Sequence, residues 1–181
     1  MTTMAGLDLQ PYWDAAFPWE TYRTEHIHAH EALWDGVWTR ARVPAWAVQR
    51  GEEIGGRWRM LVISEDWCGD ASNTLPVLAR LAEALPTLEL RVARRDENPE
   101  LMDEFLTDGA RSIPIAVLLR DDFTVAGHWG PRPAELQAFT LAEKRKGERS
   151  TSDIYRDVRR WYARDRGETT IREVLDVMAG G

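Results

Sequence analysis

The sequence predicts one α/β domain with helical extensions at both ends, and three observations indicate this class. Its 181 residues match the length of a single domain, and 44% of them are hydrophobic, enough to bury a core. The middle of the chain carries a strand, a helix and a strand in succession, the βαβ unit with parallel strands and a right-handed crossover. Helical spacing dominates on either side. We therefore expect a single domain over 1–181, with a helical extension over 1–56, a core over 57–139 and C-terminal helices over 140–181.

Apolar residues at helical spacing predict one amphipathic helix within residues 19–41, ending before Pro44. After His30 they recur at intervals of three and four, at Leu33, Trp34, Val37, Trp38 and Ala41. Five of the nine tryptophans lie in the first fifty residues, namely Trp13, Trp19, Trp34, Trp38 and Trp46. Because large aromatic side chains mostly supply buried area, we expect them to fasten this arm to the core rather than to line a ligand groove.

The core segment predicts four strands. Residues 57–64 end in an apolar run suited to a sheet covered on both faces, and residues 88–93 form the second strand after an intervening helix. A helix opens at Asn98-Pro99. Residues 115–119 and 124–129, separated by a turn containing two aspartates, predict an antiparallel hairpin.

The last third is predicted to be helical. Pro131 and Pro133 precede a helix carrying Leu136 and Phe139. Two further helices are predicted to begin at capping-box patterns, Ser150–Asp153 and Thr170–Glu173, with Gly167 ending the first of them.

Composition excludes several classes of protein. A single cysteine rules out an intrachain disulfide, a CxxC redox pair and any four-cysteine metal site. A net charge of −7 disfavours binding to nucleic acid or to an anionic membrane surface. The chain has no apolar run of membrane-spanning length, and Met1–Pro11 lacks the order of a signal peptide. We expect a cytoplasmic protein without a cofactor; its oligomeric state stays open.

The candidate chemistry lies in residues 64–73, around Cys68, which follows a strand and begins a helix. The unpaired N–H groups and the dipole of a helix N-terminus lower a thiol pKa and raise the reactive fraction. A lone cysteine is also commonly a small buried hydrophobe, and Glu65, Asp66 and Asp70 would each oppose a neighbouring anion. Position alone leaves both interpretations open.

Several short segments, taken in order along the chain, resemble the motifs of the thioredoxin-like superfamily. Trp67-Cys68-Gly69-Asp70-Ala71 resembles the Trp-Cys-Gly-Pro-Cys motif with its second cysteine replaced, and Pro76 stands where thioredoxins kink this helix. Arg111-Ser-Ile113-Pro114 is similar to the segment whose proline is cis and faces the active cysteine. Gly130 stands near the glycine that follows the last strand. The resemblance covers about residues 57–139, looks closest to bacterial thioredoxin family proteins with a helical N-terminal extension, and implies a four-stranded sheet flanked by helices.

Two departures limit what this resemblance implies. Ala71 cannot act as a resolving thiol, and Val62 replaces the buried aspartate that serves proton transfer in thioredoxins. What remains is a monothiol protein: Cys68 forms mixed disulfides with protein disulfides or low-molecular-weight thiols, and an external thiol must resolve them. Backbone flanking Pro114 would hold the substrate as an added strand, with Arg111, Ile113 and Gly130 lining the groove and Arg111 offsetting the nearby carboxylates. The alternative is a non-catalytic binding or scaffold module that uses the same groove.

Other patterns indicate no further site. In a helix His26 and His30 would share a face and could chelate zinc or nickel, but no third ligand stands at a fixed spacing, so we expect no metal. His128 is conceivable as a base for Cys68, although a plain edge-strand histidine is the favoured interpretation. Basic residues around Trp161 and Tyr162 alternate with acidic ones, as on a solvated helix face, and helical spacing places Trp161 with Ile154 and Val158 on the apolar stripe. The motif also departs from the Cys-Gly-Phe-Ser of iron–sulfur monothiol proteins.

Overall fold

A mixed five-stranded sheet with packed helices forms the described part of the chain, residues 6–181 of a computed structural model. The first five residues of the segment examined for a signal peptide lie outside the described residues. The strands are β1 (Phe17–Pro18), β2 (Trp58–Ser64), β3 (Leu88–Arg94), β4 (Ile115–Arg120) and β5 (Val125–Trp129). The helices are α1 (Gln10–Ala15), α2 (Trp19–Thr21), α3 (Glu31–Arg40), α4 (Ala45–Ile54), α5 (Gly69–Ala84), α6 (Pro99–Asp103), α7 (Ala134–Lys146), α8 (Thr151–Asp165) and α9 (Glu168–Gly180).

The strand order is β1-β3-β2-β4-β5, and the inner pairings confirm the predicted topology. β2 and β3 are paired in parallel and are connected through α5. β4 and β5 form the antiparallel hairpin, with a bulge at Leu118–Leu119. Ile115–Leu119 of β4 are fully buried; since successive strand residues face opposite sides of a sheet, both faces are covered.

The expected number of four strands is wrong, because β1 adds a fifth beside β3. β1 pairs antiparallel with β3 through Phe17 opposite Val92 and Pro18 opposite Arg91. Two residues are too short to show an alternating pattern, and a proline argues against a strand except at a sheet edge, which is where this one lies.

The single helix predicted within residues 19–41 is also wrong. The chain forms the short α2, a π-helical turn over Tyr22–His26, an extended Ile27 and a left-handed His30 with a φ of 56°, and only then α3. A tertiary contact imposes this break: the carboxylate of Asp66 accepts the backbone N–H groups of His28 and Ala29, both at 2.9 Å. Hydrophobic periodicity does not reveal such a contact.

The tryptophans fasten this arm as expected. Trp13 and Trp34 are buried, and Trp19, Trp38 and Trp46 pack against the same core. Arg80 of α5 stacks over the Trp38 ring, 3.4 Å from its centroid, and donates to the Trp38 carbonyl oxygen at 3.0 and 3.2 Å. α3 is therefore fixed on α5, the helix that begins next to Cys68.

The C-terminal helices divide into two groups. α7 and α8 form a hairpin with its own buried cluster of Leu136, Val158 and Tyr162, separate from the main core, whereas α9 packs on β5, α4 and α5. The Ser150 hydroxyl caps α8 as predicted, accepting the N–H of Asp153 at 3.1 Å. The second capping box is wrong: α9 begins at Glu168 after Gly167, and Thr170 lies buried within the helix. Within residues 6–181, no helix is both long and apolar enough to cross a bilayer.

Candidate functional site

Cys68 occupies the N-cap position of α5, directly after the turn that follows β2. Its Sγ accepts the backbone N–H of Ala71 at 3.5 Å, and its thiol donates to the carbonyl oxygen of Ile113, also at 3.5 Å. The residue is only 9% exposed. The start of α5 and the loop before β4 therefore meet at this sulfur atom.

The peptide bond between Ile113 and Pro114 is cis, the arrangement that the resemblance implies at this position. Gly130 lies against the same loop: it has a φ of 122°, and a Cβ atom added to it would lie 2.2 Å from the Pro114 carbonyl oxygen. A residue with a side chain cannot replace this glycine without moving the loop. Cys68, Ile113, Pro114 and Gly130 are thus brought together from three separate parts of the chain.

Burial raises the pKa of the Cys68 thiol above its usual value. The hydrogen bond from the Ala71 N–H and the charge of Arg132 act in the opposite direction, and the negative charge of Asp70 adds to the rise. The helix N-terminus therefore lowers the pKa of Cys68 as expected, but the effect of burial is larger. The resting thiol is protonated at neutral pH, consistent with its donation to Ile113.

Two of the three carboxylates near the motif are engaged elsewhere. Burial raises the pKa of Glu65, whose carboxylate accepts the backbone N–H of Asp96 at 3.0 Å. Burial also acts to raise the pKa of Asp66, but hydrogen bonds from His28 and Ala29 outweigh it and lower that pKa. The Asp66 backbone carbonyl oxygen accepts from the Trp34 indole at 2.8 Å. Asp66 thus adds a polar attachment of the N-terminal arm to those made by the tryptophans.

Asp70 forms a buried network with two residues that the sequence analysis did not assign to the site. Arg132 binds it in two places, Nε to Oδ1 and Nη2 to Oδ2, both at 3.0 Å, and the Tyr162 hydroxyl donates to Oδ1 at 2.8 Å. The side chains of Asp70 and Arg132 are 8% and 10% exposed. A carboxylate buried to this degree needs a cationic partner, but the sequence indicates neither the burial of Asp70 nor which arginine pairs with it.

Tyr162 is also the most buried aromatic residue of α8. The predicted apolar stripe placed Trp161 with Ile154 and Val158. The structure buries Tyr162 more deeply than Trp161, which is partly buried and packs against the same cluster. Burial raises the pKa of the Tyr162 phenol well above its usual value, and the negative charge of Asp70 adds to this rise. Tyr162 therefore remains a neutral hydrogen-bond donor to Asp70.

The remaining motif residues lie around this centre. Trp67 is 47% exposed, with the Arg95 guanidinium 5.0 Å from its ring centroid, and a Cβ added to Gly69 would meet no atom within 4 Å. Ala71, at the position of the missing second cysteine, is buried. Arg111 does not offset the carboxylates beside Cys68 as expected; it forms a bidentate pair with Asp103 at 2.8 and 2.9 Å. Arg132 neutralises Asp70 instead.

The histidines lie apart from this centre. His26 stacks on Phe17 with 3.9 Å between ring centroids, and the break before α3 removes the shared helix face that His26 and His30 needed to chelate a metal. Among residues 6–181, no three histidine, cysteine or acidic side chains converge as a metal site would require. His128 packs against Phe105, and burial lowers its pKa.

The parallel β2-α5-β3 unit, the antiparallel hairpin and the cysteine facing a cis-proline loop together define a thioredoxin-like protein. A family model described as Thioredoxin matches residues 19–146, more than half of the chain, and the chain belongs to this family. The match begins at Trp19, so it includes most of the N-terminal arm as well as the segment that resembles thioredoxin.

Two solved structures share the fold over nearly their full length. The crystal structure of an HIV epitope-scaffold has a TM-score of 0.76 at 18% identity, covering 97% of this chain and 99% of that one. A protein of unknown function from Pseudomonas aeruginosa has a TM-score of 0.72 at 19% identity, covering 99% of each chain. A search among curated proteins found no match. At these identities the likeness concerns the fold alone.

Proposed function

We propose that the protein is a monothiol thiol–disulfide exchange protein in which Cys68 is the reacting group. The observation that carries this proposal is the position of its Sγ, at the N-cap of α5 and 3.5 Å from the carbonyl oxygen beside cis-Pro114. The sulfur thus lies next to the N–H groups at the start of a helix and next to a loop that can pair with an extended substrate. Trp67, Gly69, Asp70 and Ala71 shape the helix start.

The chemistry proceeds by one exchange step. The Cys68 thiolate attacks one sulfur of a disulfide, a new bond forms between Cys68 Sγ and that sulfur, and the original disulfide bond breaks. The leaving sulfur departs as a thiolate and takes up a proton equivalent to the one that Cys68 released. Because Ala71 cannot attack the product, an external thiol must cleave the mixed disulfide and restore Cys68.

The substrate would be a protein disulfide or a low-molecular-weight disulfide held along the loop of Arg111, Ile113 and Pro114. Gly130 closes the far side of this loop without a side chain that would occupy the groove. The exposed Trp67 ring offers an apolar surface next to the sulfur. No metal or cofactor takes part in this mechanism.

A second candidate is a binding module that uses the same groove without covalent chemistry. Burial of the thiol, which raises its pKa, is compatible with this candidate, as is the replacement of the second cysteine by Ala71. In that case the groove would recognise an extended peptide through backbone hydrogen bonds alone.

Mass spectrometry of the intact native protein after incubation with oxidised glutathione tests the exchange. We expect one glutathione adduct on the wild type, its removal by added dithiothreitol, and none on Cys68→Ser. A thiol that stays unmodified natively and reacts only in denaturant would overturn the proposal. Partners captured on a column with equal yield by wild type and Cys68→Ser, and released by peptide rather than by reductant, would favour the binding module.

A further inference from the structure

A buried polar network centred on Asp70 joins the loop before α7 and the α7–α8 hairpin to the first turn of α5. Arg132, in the loop before α7, holds Asp70 with Nε and Nη2 while its Nη1 donates to Gln137 of α7 at 2.7 Å. Tyr162 of α8 donates to the same Asp70. Asp70 lies two residues after Cys68, and the charge of Arg132 acts on the thiol. The first turn of α5 is therefore tied to both helices of the hairpin beside the reacting sulfur.

The start of the hairpin is anchored and can act as a pivot, because the Glu173 carboxylate of α9 accepts the Ala134 N–H of α7 at 3.0 and 3.2 Å. The hairpin's apolar cluster of Leu136, Val158 and Tyr162 is separate from the main core. Left-handed residues follow α8, Arg166 with a φ of 56° and Gly167 with a φ of 81°. α7 begins after a loop of Gly130, Pro131, Arg132 and Pro133. A helical pair with its own apolar interior and an irregular segment at each end can rotate without unfolding.

We propose that the α7–α8 hairpin is a lid over Cys68 that restricts it to small disulfides, and that Asp70, Arg132 and Tyr162 form the latch of this lid. The inference rests on the proposed function, since it names the substrate class of that site. With the latch closed, Cys68 is 9% exposed, and in this proposal the closed lid admits a small reagent but not a folded protein. Release of the latch exposes the start of α5 and admits larger partners.

Two thiol reagents of different size test the lid, iodoacetamide and a maleimide coupled to a polyethylene glycol chain. Each rate on the native protein is divided by the rate on the denatured protein, which removes the intrinsic reactivity of the reagent. For the wild type, we expect the normalised rate of the large reagent to be lower than that of iodoacetamide. In Tyr162→Phe the lost hydrogen bond to a charged group raises the large-reagent rate about tenfold and leaves the iodoacetamide rate within about threefold.

A double variant, Asp70→Asn with Arg132→Gln, removes both charges of the latch together, so that neither is left buried without a partner. It should raise the large-reagent rate at least as much as Tyr162→Phe, with an unchanged circular dichroism spectrum. Tyr12→Phe is the matched control, since its hydroxyl contacts Glu100 instead, and both of its rates should equal those of the wild type.

The remaining outcomes overturn the inference. Equal normalised rates for both reagents in the wild type would show that nothing restricts access by size. If the iodoacetamide and large-reagent rates rise together in the latch variants, or if neither changes, the hairpin does not select reagents by size. If the size dependence behaves as expected but no glutathione adduct forms, the exchange chemistry fails while the lid stands, so the two failures are distinguishable.

Discussion

At Cys68 two opposing influences act on one sulfur atom. The N–H of Ala71 points at Sγ from the first turn of α5 and favours the thiolate, while burial favours the neutral thiol and prevails. The thiol in turn donates to the Ile113 carbonyl oxygen. In the proposed exchange, a substrate that paired with this loop would compete for that oxygen and weaken the bond that the neutral thiol makes.

The raised pKa of Cys68 predicts the pH dependence of its alkylation. The rate of reaction with iodoacetamide should rise with pH, with a midpoint above that of the same thiol in the denatured chain. At pH 8 the native protein should therefore react more slowly than the same chain in denaturant. A midpoint below that of the denatured chain would contradict the balance of burial and hydrogen bonding described here.

Adding a single methyl group at Gly130 should destabilise the protein. Gly130→Ala places a Cβ 2.2 Å from the Pro114 carbonyl oxygen at a φ of 122°, so either the loop or the backbone must shift. We expect a loss of at least about 2 kcal/mol in the free energy of unfolding, measured by urea denaturation. Gly69→Ala serves as the control, because its Cβ meets no atom within 4 Å, and it should change stability by less than about 1 kcal/mol.

Among the elements, the N-terminal arm depends on the turn that carries the cysteine. Asp66 accepts two backbone N–H groups from the break between the π-helical turn and α3, and its carbonyl oxygen accepts the Trp34 indole N–H. The arm thus binds to the residue two positions before Cys68, while Arg132 and Tyr162 bind to the residue two positions after it. The N-terminal arm and the C-terminal helices therefore converge on the same short segment.

Loss of the Asp66 carboxylate should loosen the arm. Asp66→Ala leaves the His28 and Ala29 N–H groups without their acceptor, and we expect a loss of about 1–3 kcal/mol in the free energy of unfolding. Amide hydrogen exchange should accelerate at these two residues before it does in β2. Asp35→Ala, at an exposed position of α3, is the control and should leave both quantities unchanged. Unaltered exchange at His28 and Ala29 in Asp66→Ala would show that the arm is held by its tryptophans alone.

For the molecule as a whole, the sequence predicts what depends on local periodicity. The parallel β2-α5-β3 unit and the β4–β5 hairpin follow from apolar runs and turn residues, and both are confirmed. β1, the break before α3 and the Asp70 network depend instead on pairs of residues distant in sequence. Arg132 is one of many arginines in the chain, and only the folded structure brings it to a buried aspartate.

The buried Glu65 predicts how global stability varies with pH. Its pKa is raised in the folded state, so the native chain binds more protons than the unfolded chain above about pH 4.3, and stability falls as pH rises through the folded pKa. Glu65→Gln can still accept the Asp96 N–H but carries no charge to bury. The difference in Tm between Glu65→Gln and wild type should therefore be more positive at pH 8 than at pH 4.

The matched control is Glu52→Gln, at an exposed position of α4. Its Tm difference from wild type should be the same at both pH values. A Glu65→Gln difference that did not grow between pH 4 and pH 8 would mean that the carboxyl group is as well solvated in the folded protein as in the unfolded chain.

The two-residue strand β1 has a consequence for the behaviour of the protein in concentrated solution. An unprotected edge strand offers a row of free N–H and C=O groups on which another molecule can build, and this is a common start of aggregation. β1 covers the outer edge of β3 at Arg91 and Val92, and Pro18 has no N–H to donate to a further strand. β3 also carries the charged side chains of Glu89, Arg91 and Arg94 along its length. A second copy approaching this side of the sheet meets a prolyl ring and charged side chains of both signs rather than a template for strand addition.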